Sequence, residues 1–377
     1  MIISINVEAA FSNPTGMGRH ARELLRSLMA TDRSNEYTLF HSNLYRWPPD
    51  PFLTKLPDNF RVVRLPFSRK TMLLTWLCNR NLGSTTRSVG RQGIYHDFGW
   101  VLYGVNARRT IGSLHDLAVM QFPESFQWHS KLLFRRAVDK LRAADRIITV
   151  SHFAKEQISG YLGISADRVC VLYNAVSEAF RPTSNQKSEP TALKYRLPRN
   201  YLAFCGNINR RKNLPLLIRA FGLYVERNPG NDLELVICGH PGVGHVDVLN
   251  QIHTLDLSGR VKLLGHVSDE ELSHILGRAR AFVFPSLNEG FGIPVLEAMA
   301  CGTPVICANK TALPEVAGDA AIYVTGTDAE ELSSAIDKVL SDSDLRDELR
   351  KRGLQRAALF SWQNAATQLL SAYQSLS

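Results

Sequence analysis

Short apolar runs rich in β-branched residues alternate with amphipathic stretches along most of the chain. In the first half these runs cover residues 2–7, 37–41, 60–65, 109–114 and 146–150. A second series covers residues 201–205, 233–238, 261–264, 281–285, 304–308 and 321–324. Buried strands that alternate with helices predict parallel sheets with helices on both faces. The two series therefore predict two doubly wound α/β domains.

The domain boundary is predicted at a polar segment, residues 181–200, which is rich in Pro, Ser, Asn and Lys and has no apolar period. We interpret it as a linker between a first domain, residues 1–180, and a second domain, residues 201–360. The length of 377 residues suits two domains of ordinary size. The amphipathic C-terminal helix, about residues 361–377, is expected to pack back on the first domain.

Several classes of protein are excluded by what the sequence lacks. It has no apolar run of about 18 residues or more, so no membrane-spanning helix is predicted. The N-terminal residues lack the basic region of a signal peptide, so we expect a cytoplasmic protein. The six cysteines form no C-x-x-C pair and are expected to be reduced core residues.

The net charge of +9 is confined to the first half of the chain. Residues 1–180 hold 23 basic and 14 acidic residues, so the remainder has 44 − 23 = 21 basic and 35 − 14 = 21 acidic residues. Residues 61–94 contain no acidic residue, and Arg69, Lys70, Trp76 and Arg80 are candidates for contact with an anionic membrane surface or acceptor. A core helix with basic ends explains the same pattern. No nucleic-acid motif accompanies the charge, so nucleic acid is not an expected partner.

Ligands of open α/β sheets bind at the carboxyl ends of the strands, so the loops there are the candidate sites. Gly16 and Gly18 follow the first strand and would let backbone amides approach a phosphate, although a tight turn explains them equally well. His115 and Asp116 end another strand, where an imidazole can bind a sugar or move a proton. A purely structural histidine is the alternative.

In the second domain, Gly206 opens a loop that carries Arg211 and Lys212. A guanidinium and an ammonium beside a helix start can neutralise a diphosphate, whereas the alternative is a solvated basic turn. The most specific pattern is Glu289 followed by Glu297 eight residues later. The turn between them exposes backbone amides at a helix start, and this arrangement suits a nucleotide sugar.

One acidic pair could suggest a metal, because Asp342 and Asp344 form a D-x-D string. It stands between two helical patterns, where acidic residues favour a helix N-terminus. We therefore predict a helix cap there, and we expect neither a metal nor a cofactor.

Together these residues resemble the retaining glycosyltransferases of family four, whose GT-B fold has two Rossmann-like domains facing each other across a cleft. The resemblance covers nearly the whole chain, and the Glu-x7-Glu pattern and the segment from Arg211 to Leu214 carry it most specifically. It implies a catalytic group formed by His115, Arg211, Lys212 and Glu289. It implies donor-binding roles for Gly16, Gly18, Gly206, Val267, Gly290, Phe291, Gly292 and Glu297.

Within that resemblance, Arg211 and Lys212 would bind the donor diphosphate, Glu297 the ribose, Val267 the base and Glu289 the sugar. Two positions depart from the family pattern. Asn207 stands where many members have Arg, and Tyr173-Asn174-Ala175 replaces a Pro-Asn-Gly triplet. The family pattern implies metal-independent front-face substitution, in which the leaving phosphate helps to deprotonate the acceptor hydroxyl.

The loop variants resemble most the mannosyltransferase branch that builds O-antigen and other cell-surface polysaccharides. This implies GDP-mannose or a GDP-linked deoxyhexose as donor and a lipid-linked glycan as acceptor, at the inner face of the cytoplasmic membrane. A UDP-hexose or dTDP-rhamnose would change few of these residues. An epimerase or phosphorylase of the same fold, or a non-catalytic nucleotide-binding scaffold, would also fit the two domains.

Overall fold

The computed structural model describes residues 1–12, 16–42, 55–66, 68–77, 92–105, 107–126 and 128–376. The chain divides into two compact units, each built on one parallel sheet. Unit 1 comprises Met1–Asn174 and Ser361–Ser377, and unit 2 comprises Ala175–Phe360. The prediction of two doubly wound α/β domains is thus confirmed.

The sheet of unit 1 has seven parallel strands in the order β3-β2-β1-β4-β5-β6-β7. They are β1 (Ile2–Asn6), β2 (Glu36–His41), β3 (Phe60–Arg64), β4 (Gln92–Asp97), β5 (Ala107–Ser113), β6 (Arg146–Thr149) and β7 (Val169–Val171). The helices of the same unit are α1 (Glu8–Ser12), α2 (Gly16–Thr31), α3 (Arg69–Leu77), α4 (Ala118–Gln121), α5 (Trp128–Ala143) and α6 (His152–Leu162). The final helix of the chain, α15 (Trp362–Gln374), also belongs to unit 1.

The core of unit 1 lies on both faces of its sheet. Successive strand residues point to opposite faces, so Leu39 joins one hydrophobic cluster and Phe40 the other. Helix α15 completes the first cluster through apolar residues at helical spacing, among them Leu369 and Tyr373. The Tyr373 hydroxyl also hydrogen-bonds the buried His96 Nδ1 at 2.7 Å. The C-terminal segment is therefore part of unit 1 although it follows unit 2 in sequence.

Unit 2 has a six-stranded parallel sheet in the order β10-β9-β8-β11-β12-β13. Its strands are β8 (Tyr201–Cys205), β9 (Glu234–Cys238), β10 (Val261–Gly265), β11 (Ala281–Phe284), β12 (Val305–Ala308) and β13 (Ala321–Val324). Its helices are α7 (Asn185–Tyr195), α8 (Leu214–Arg227), α9 (His245–Thr254), α10 (Asp269–Arg278), α11 (Ile293–Ala300), α12 (Leu313–Ala317), α13 (Ala329–Ser341) and α14 (Ser343–Ala358).

The structure differs from the prediction at several elements. Strands β4 and β7 were not predicted, because β4 mixes polar and apolar residues and β7 has only three residues. Residues 181–200 contain helix α7 rather than an irregular linker alone. Thr191 and Lys194 of this helix bind His274 and Glu271 of α10, so tertiary contacts compensate for its weak apolar period. Helix α2 begins at Gly16, so Gly16 and Gly18 lie within the first turn of the helix.

The predicted membrane contact of Trp76 is wrong. It is 3% exposed in the core of unit 1, as is Met72 of the same helix at 1%, because α3 turns its apolar face inward. The side chains of Arg69 and Lys70 are outside the described part of the structure, as is the whole of Arg80. The alternative explanation, a core helix with basic ends, therefore holds for Trp76.

Two smaller predictions are confirmed. The carboxylate of Asp342 accepts a hydrogen bond from the Leu345 amide at 2.9 Å and caps α14, so this acidic pair serves a helix start. Five cysteines in the described part of the chain are free thiols, and Cys78 lies outside it. Among the described helices, none has the length and apolar character needed to cross a membrane.

Candidate active site

The strand order of unit 2 creates a gap between two loops at the carboxyl edge of its sheet. Strands β8 and β11 are neighbours, but the chain leaves β8 toward β9 on one side and β11 toward β12 on the other. Loops that diverge in this way leave a crevice in which α/β proteins bind ligands. Gly206 directly follows β8, and Glu289 follows β11 by five residues. The main predicted residues therefore lie at this switch point.

The loop after β8 is held by backbone packing and by a short helical turn. Gly206 lies against Gly239, and a Cβ on Gly239 would stand 2.0 Å from the Gly206 carbonyl oxygen. Glycine is therefore required at position 239, which the sequence analysis did not assign to the site. The loop continues into a 3-10 turn, Arg210–Lys212, whose Lys212 amide donates to the Asn209 side chain at 3.2 Å. This cap directs the basic residues toward the β11 loop.

Arg211, Lys212 and Glu289 form one buried ionic cluster. Lys212 Nζ lies 2.6 Å from Glu289 Oε1, and an Arg211 guanidinium nitrogen lies 3.0 Å from Glu289 Oε2. The Ser286 hydroxyl donates a further bond to Glu289 Oε1 at 2.6 Å. Lys212 also lies over the ring of Phe284, 4.8 Å from its centroid. In the ligand-free protein, the carboxylate therefore neutralises both cations expected to bind a diphosphate.

The cluster is ionised despite its burial. Burial alone would raise the pKa of Glu289, but the charges of Arg211 and Lys212, with hydrogen bonds from Lys212 and Ser286, lower that pKa to about 2. Burial lowers the pKa of Lys212, and the Glu289 carboxylate opposes that effect. An anionic ligand that met the two cations would thus compete directly with Glu289.

The loop after Glu289 leads into the start of helix α11. Gly292 has a φ of 103° and precedes the helix, and a Cβ at this position would lie 2.6 Å from Leu313 Cδ2. Glycine is needed here both for the backbone and for the close approach of Leu313. Backbone amides at a helix start can bind an anion or sugar oxygens. Gly290 and Phe291 are buried in the same turn, and the Phe291 ring contacts Phe360 edge to face.

The two remaining donor-binding candidates of unit 2 are buried. Glu297 lies in α11 and is 2% exposed, and Val267 follows β10 and is 7% exposed. Their roles toward ribose and base stay predictions.

In unit 1, the half-buried His115 lies beside the buried His20. Its ring lies edge to face with that of His20, with 4.6 Å between the centroids. His20 Nδ1 hydrogen-bonds the Asn174 side chain at 2.7 Å, which links α2 to the segment after β7. Burial lowers the pKa of His115 to about 4, and burial together with His115 lowers that of His20 to about 3. Both rings are therefore neutral at pH 7, and the Nε2 atom of each is buried without a hydrogen-bond partner.

The glycine prediction in unit 1 is only partly within the described structure. Gly16 is the exposed first residue of α2, and Gly18, two residues later, is buried. Residues 13–15, which precede them, lie outside the described residues. Both glycines thus occupy a helix start that follows β1, and their role toward a diphosphate or acceptor stays a prediction.

Sequence reasoning missed two polar groups that support Glu289. Ser286 is fully buried, and Thr311 accepts the Glu289 amide hydrogen at 3.1 Å through its hydroxyl. Both are common residue types in loops, so the sequence offers no signal that separates them from ordinary turn residues. The histidine partner His20 could have been found, because it follows the glycines at helical spacing.

Two family models match this chain in succession. "Glycosyltransferase Family 4" matches residues 14–180, and "Glycosyl transferases group 1" matches residues 185–356. The two units thus define a GT-B glycosyltransferase.

The relatives narrow this class. The O-antigen chain mannosyltransferase B of Escherichia coli is 31% identical over 96% of this chain and 96% of its own length. A sucrose-phosphate synthase of Thermosynechococcus elongatus has a TM-score of 0.74 at 21% identity, and its alignment covers 100% of this chain and 99% of that one. Anabaena Alr3699/HepE, in complex with UDP and glucose, has a TM-score of 0.73 at 18% identity, with 100% of both chains covered. The chain belongs to the family four glycosyltransferases and is a hexosyltransferase.

Proposed function

We propose that this enzyme transfers mannose, or a related deoxyhexose, from a GDP-sugar to a lipid-linked or growing cell-surface glycan with retention of configuration. The observation that carries the proposal is the buried Arg211–Lys212–Glu289 cluster at the unit 2 switch point. Similarity to the O-antigen chain mannosyltransferase B over 96% of both chains supports the choice of sugar and acceptor.

The cluster suits a reaction in which negative charge develops on a leaving diphosphate. Arg211 and Lys212 would stabilise that charge, together with the amides at the start of α11. Glu289, released from the cations, would accept hydrogen bonds from hydroxyls of the donor sugar. The bond from C1 of the sugar to the phosphate oxygen breaks while the acceptor oxygen bonds C1 on the same face. The acceptor proton passes to the leaving phosphate.

Calorimetric titration with GDP, UDP, dTDP and ADP, first with EDTA and then with Mg²⁺, tests the donor. We expect GDP to bind most tightly, and equally well in EDTA, because side-chain cations already supply the positive charge. A preference for UDP or dTDP would overturn the GDP-sugar assignment. Release of GDP from GDP-mannose should then depend on an added membrane extract that contains acceptor. Acceptor-independent turnover would favour an epimerase or phosphorylase, and binding without turnover a scaffold.

We propose that exposed side chains of α5, rather than the buried Trp76, contact the membrane surface. Trp128 is 75% exposed and Leu132 is 54% exposed, one helical turn apart, and Arg135 is exposed beside them. An exposed Trp and Leu next to basic residues suit the surface of an anionic bilayer.

Co-sedimentation with vesicles of phosphatidylglycerol and phosphatidylcholine tests this surface. The Trp128→Ala/Leu132→Ala variant should lose most of its binding, whereas Leu193→Ala, which truncates a 70% exposed leucine of unit 2, should keep it. Equal binding by the wild type and the double variant would exclude α5 as the membrane surface.

A further inference from the structure

Thr311 has an unusual backbone conformation for its residue type. Among the described residues, four that are not glycine have positive φ: Arg196, Asn213, Asp256 and Thr311. Thr311, at 57°, is the β-branched member of this group, and branching at Cβ makes the left-handed region especially unfavourable. Such a residue persists where its surroundings impose it, and residues of this kind cluster at functional sites.

The surroundings of Thr311 are those of Glu289. Thr311 lies between β12 and α12, and its hydroxyl accepts the Glu289 amide hydrogen at 3.1 Å. The next residue, Ala312, donates its amide to the Glu289 carbonyl oxygen at 3.4 Å. The turn at Thr311 thus presents two consecutive polar groups to the backbone of one residue. Ser286 and the two cations hold the side chain of that same residue.

A bound ligand would affect the contacts of Glu289 in two different ways. A diphosphate would compete for Arg211 and Lys212, which removes the ionic partners of Glu289. The bonds from Ser286 and to Thr311 involve neither cation, so they can persist. After that exchange, they would determine where the Glu289 carboxylate points.

We propose that Thr311 is a positioning residue that holds Glu289 for the donor sugar, and that its left-handed backbone is retained for this purpose. The inference rests on the proposed function, because it assigns Glu289 to the sugar. Thr311 should then affect the binding of a sugar nucleotide but not that of the nucleoside diphosphate, because the diphosphate meets the cations and the α11 amides rather than the Glu289 carboxylate.

The test compares Thr311→Val, which keeps the shape but loses the accepting hydroxyl, with Thr311→Ser, which keeps the hydroxyl. Calorimetry measures the affinities for GDP-mannose and GDP. If another nucleoside diphosphate binds the wild type, that diphosphate and its sugar nucleotide are used instead. We expect Thr311→Val to weaken sugar-nucleotide binding at least fivefold and to change diphosphate binding less than twofold. Thr311→Ser should restore the wild-type ratio. Parallel weakening of both ligands, or no change in either, would overturn the proposal.

A second measurement does not depend on the donor. Amide hydrogen exchange of the ligand-free protein should be at least tenfold faster at Glu289 in Thr311→Val than in Thr311→Ser, because the amide loses its acceptor. Equal exchange would show that Thr311 does not hold this peptide, whatever the substrate is. If no nucleotide binds the wild type while exchange follows the expected order, the proposed function fails but the contact between Thr311 and Glu289 stands.

Discussion

Glu289→Gln is the substitution that tests the ionic cluster most directly. The amide keeps the shape of the side chain but removes the charge that Arg211 and Lys212 share. Lys212 is 7% exposed, so it would become a buried cation with less compensation. We expect two opposite effects: unit 2 becomes less stable, and the freed cations bind a nucleoside diphosphate more tightly.

The pKa of Glu289 sets the size of both effects. The pKa of the carboxyl is lowered from 4.5 to about 2, which corresponds to roughly 3–4 kcal/mol at about 1.4 kcal/mol for each tenfold change in its ionisation equilibrium. Because the folded-state pKa is depressed, this stabilisation is present above pH 4.5 and is lost as the pH falls toward 2. Because the two cations also overcome the burial that would raise this pKa, their interaction with the carboxylate is at least as large, and we expect Glu289→Gln to bind GDP at least about tenfold more tightly.

The assay can separate the two units. Residues 175–360, which form unit 2, contain no tryptophan, so tryptophan fluorescence reports the unfolding of unit 1. Circular dichroism reports both units. In Glu289→Gln the dichroism transition of unit 2 should fall by roughly 6–12 °C, while the fluorescence transition stays unchanged. Saturating GDP should recover the loss. Glu226→Gln, which neutralises an exposed carboxylate of α8, is the matched control.

One result would refute this reasoning. If Glu289→Gln weakened GDP binding as much as Lys212→Met does, the carboxylate would be assisting the cations rather than competing with the diphosphate. An unchanged melting profile in the variant would show, in addition, that the cluster contributes little to stability.

Three further substitutions test local features. Burial lowers the pKa of His20 to about 3, so the free energy of unfolding of unit 1 falls as the pH drops below 6.5. His20→Phe should reduce this pH dependence by up to about 1.4 kcal/mol per pH unit, measured by urea titrations followed by fluorescence. Gly292→Ala should destabilise unit 2 by about 2 kcal/mol in dichroism melts, whereas Gly277→Ala, whose Cβ meets nothing closer than 3.9 Å, should not. Tyr373→Phe removes the bond to buried His96 and should cost about 1–2 kcal/mol in unit 1, again measured by fluorescence.

The fold was predictable because its strands are apolar and its connections are helical. The exceptions have physical causes. Strand β4 carries the polar residues Gln92, His96 and Asp97. His96 and Asp97 are tolerated in the sheet because Tyr373 and Asn6 hydrogen-bond them. Helix α7 contains Pro190 and depends on contacts with α10. In both elements, tertiary contacts that a local pattern does not contain decide the structure.

The residue types of the site were predictable from the sequence, but the ion pairs between them were not. Spacing and charge pointed to Arg211, Lys212 and Glu289, yet these features could not show that the carboxylate neutralises the cations. That arrangement requires two loops, 77 residues apart in sequence, to meet at the switch point. No sequence pattern indicated Thr311, because the left-handed backbone conformation that it adopts is disfavoured for its residue type.

Each unit also has a buried carboxylate near the switch point of its sheet, and the pKa values of the two carboxylates are shifted in opposite directions. In unit 1, Asp97 ends β4 beside β1 and receives hydrogen bonds from Asn6 at 2.8 Å and Tyr95 at 2.7 Å. Burial raises its pKa to about 7, and hydrogen bonds from Tyr95 and Asn6 only partly oppose this. In unit 2, Glu289 has two cations as partners and stays ionised. Since a diphosphate needs cations that can exchange a carboxylate partner for phosphate oxygens, the switch point of unit 2 is suited to a diphosphate, whereas that of unit 1 is suited to neutral hydroxyl groups.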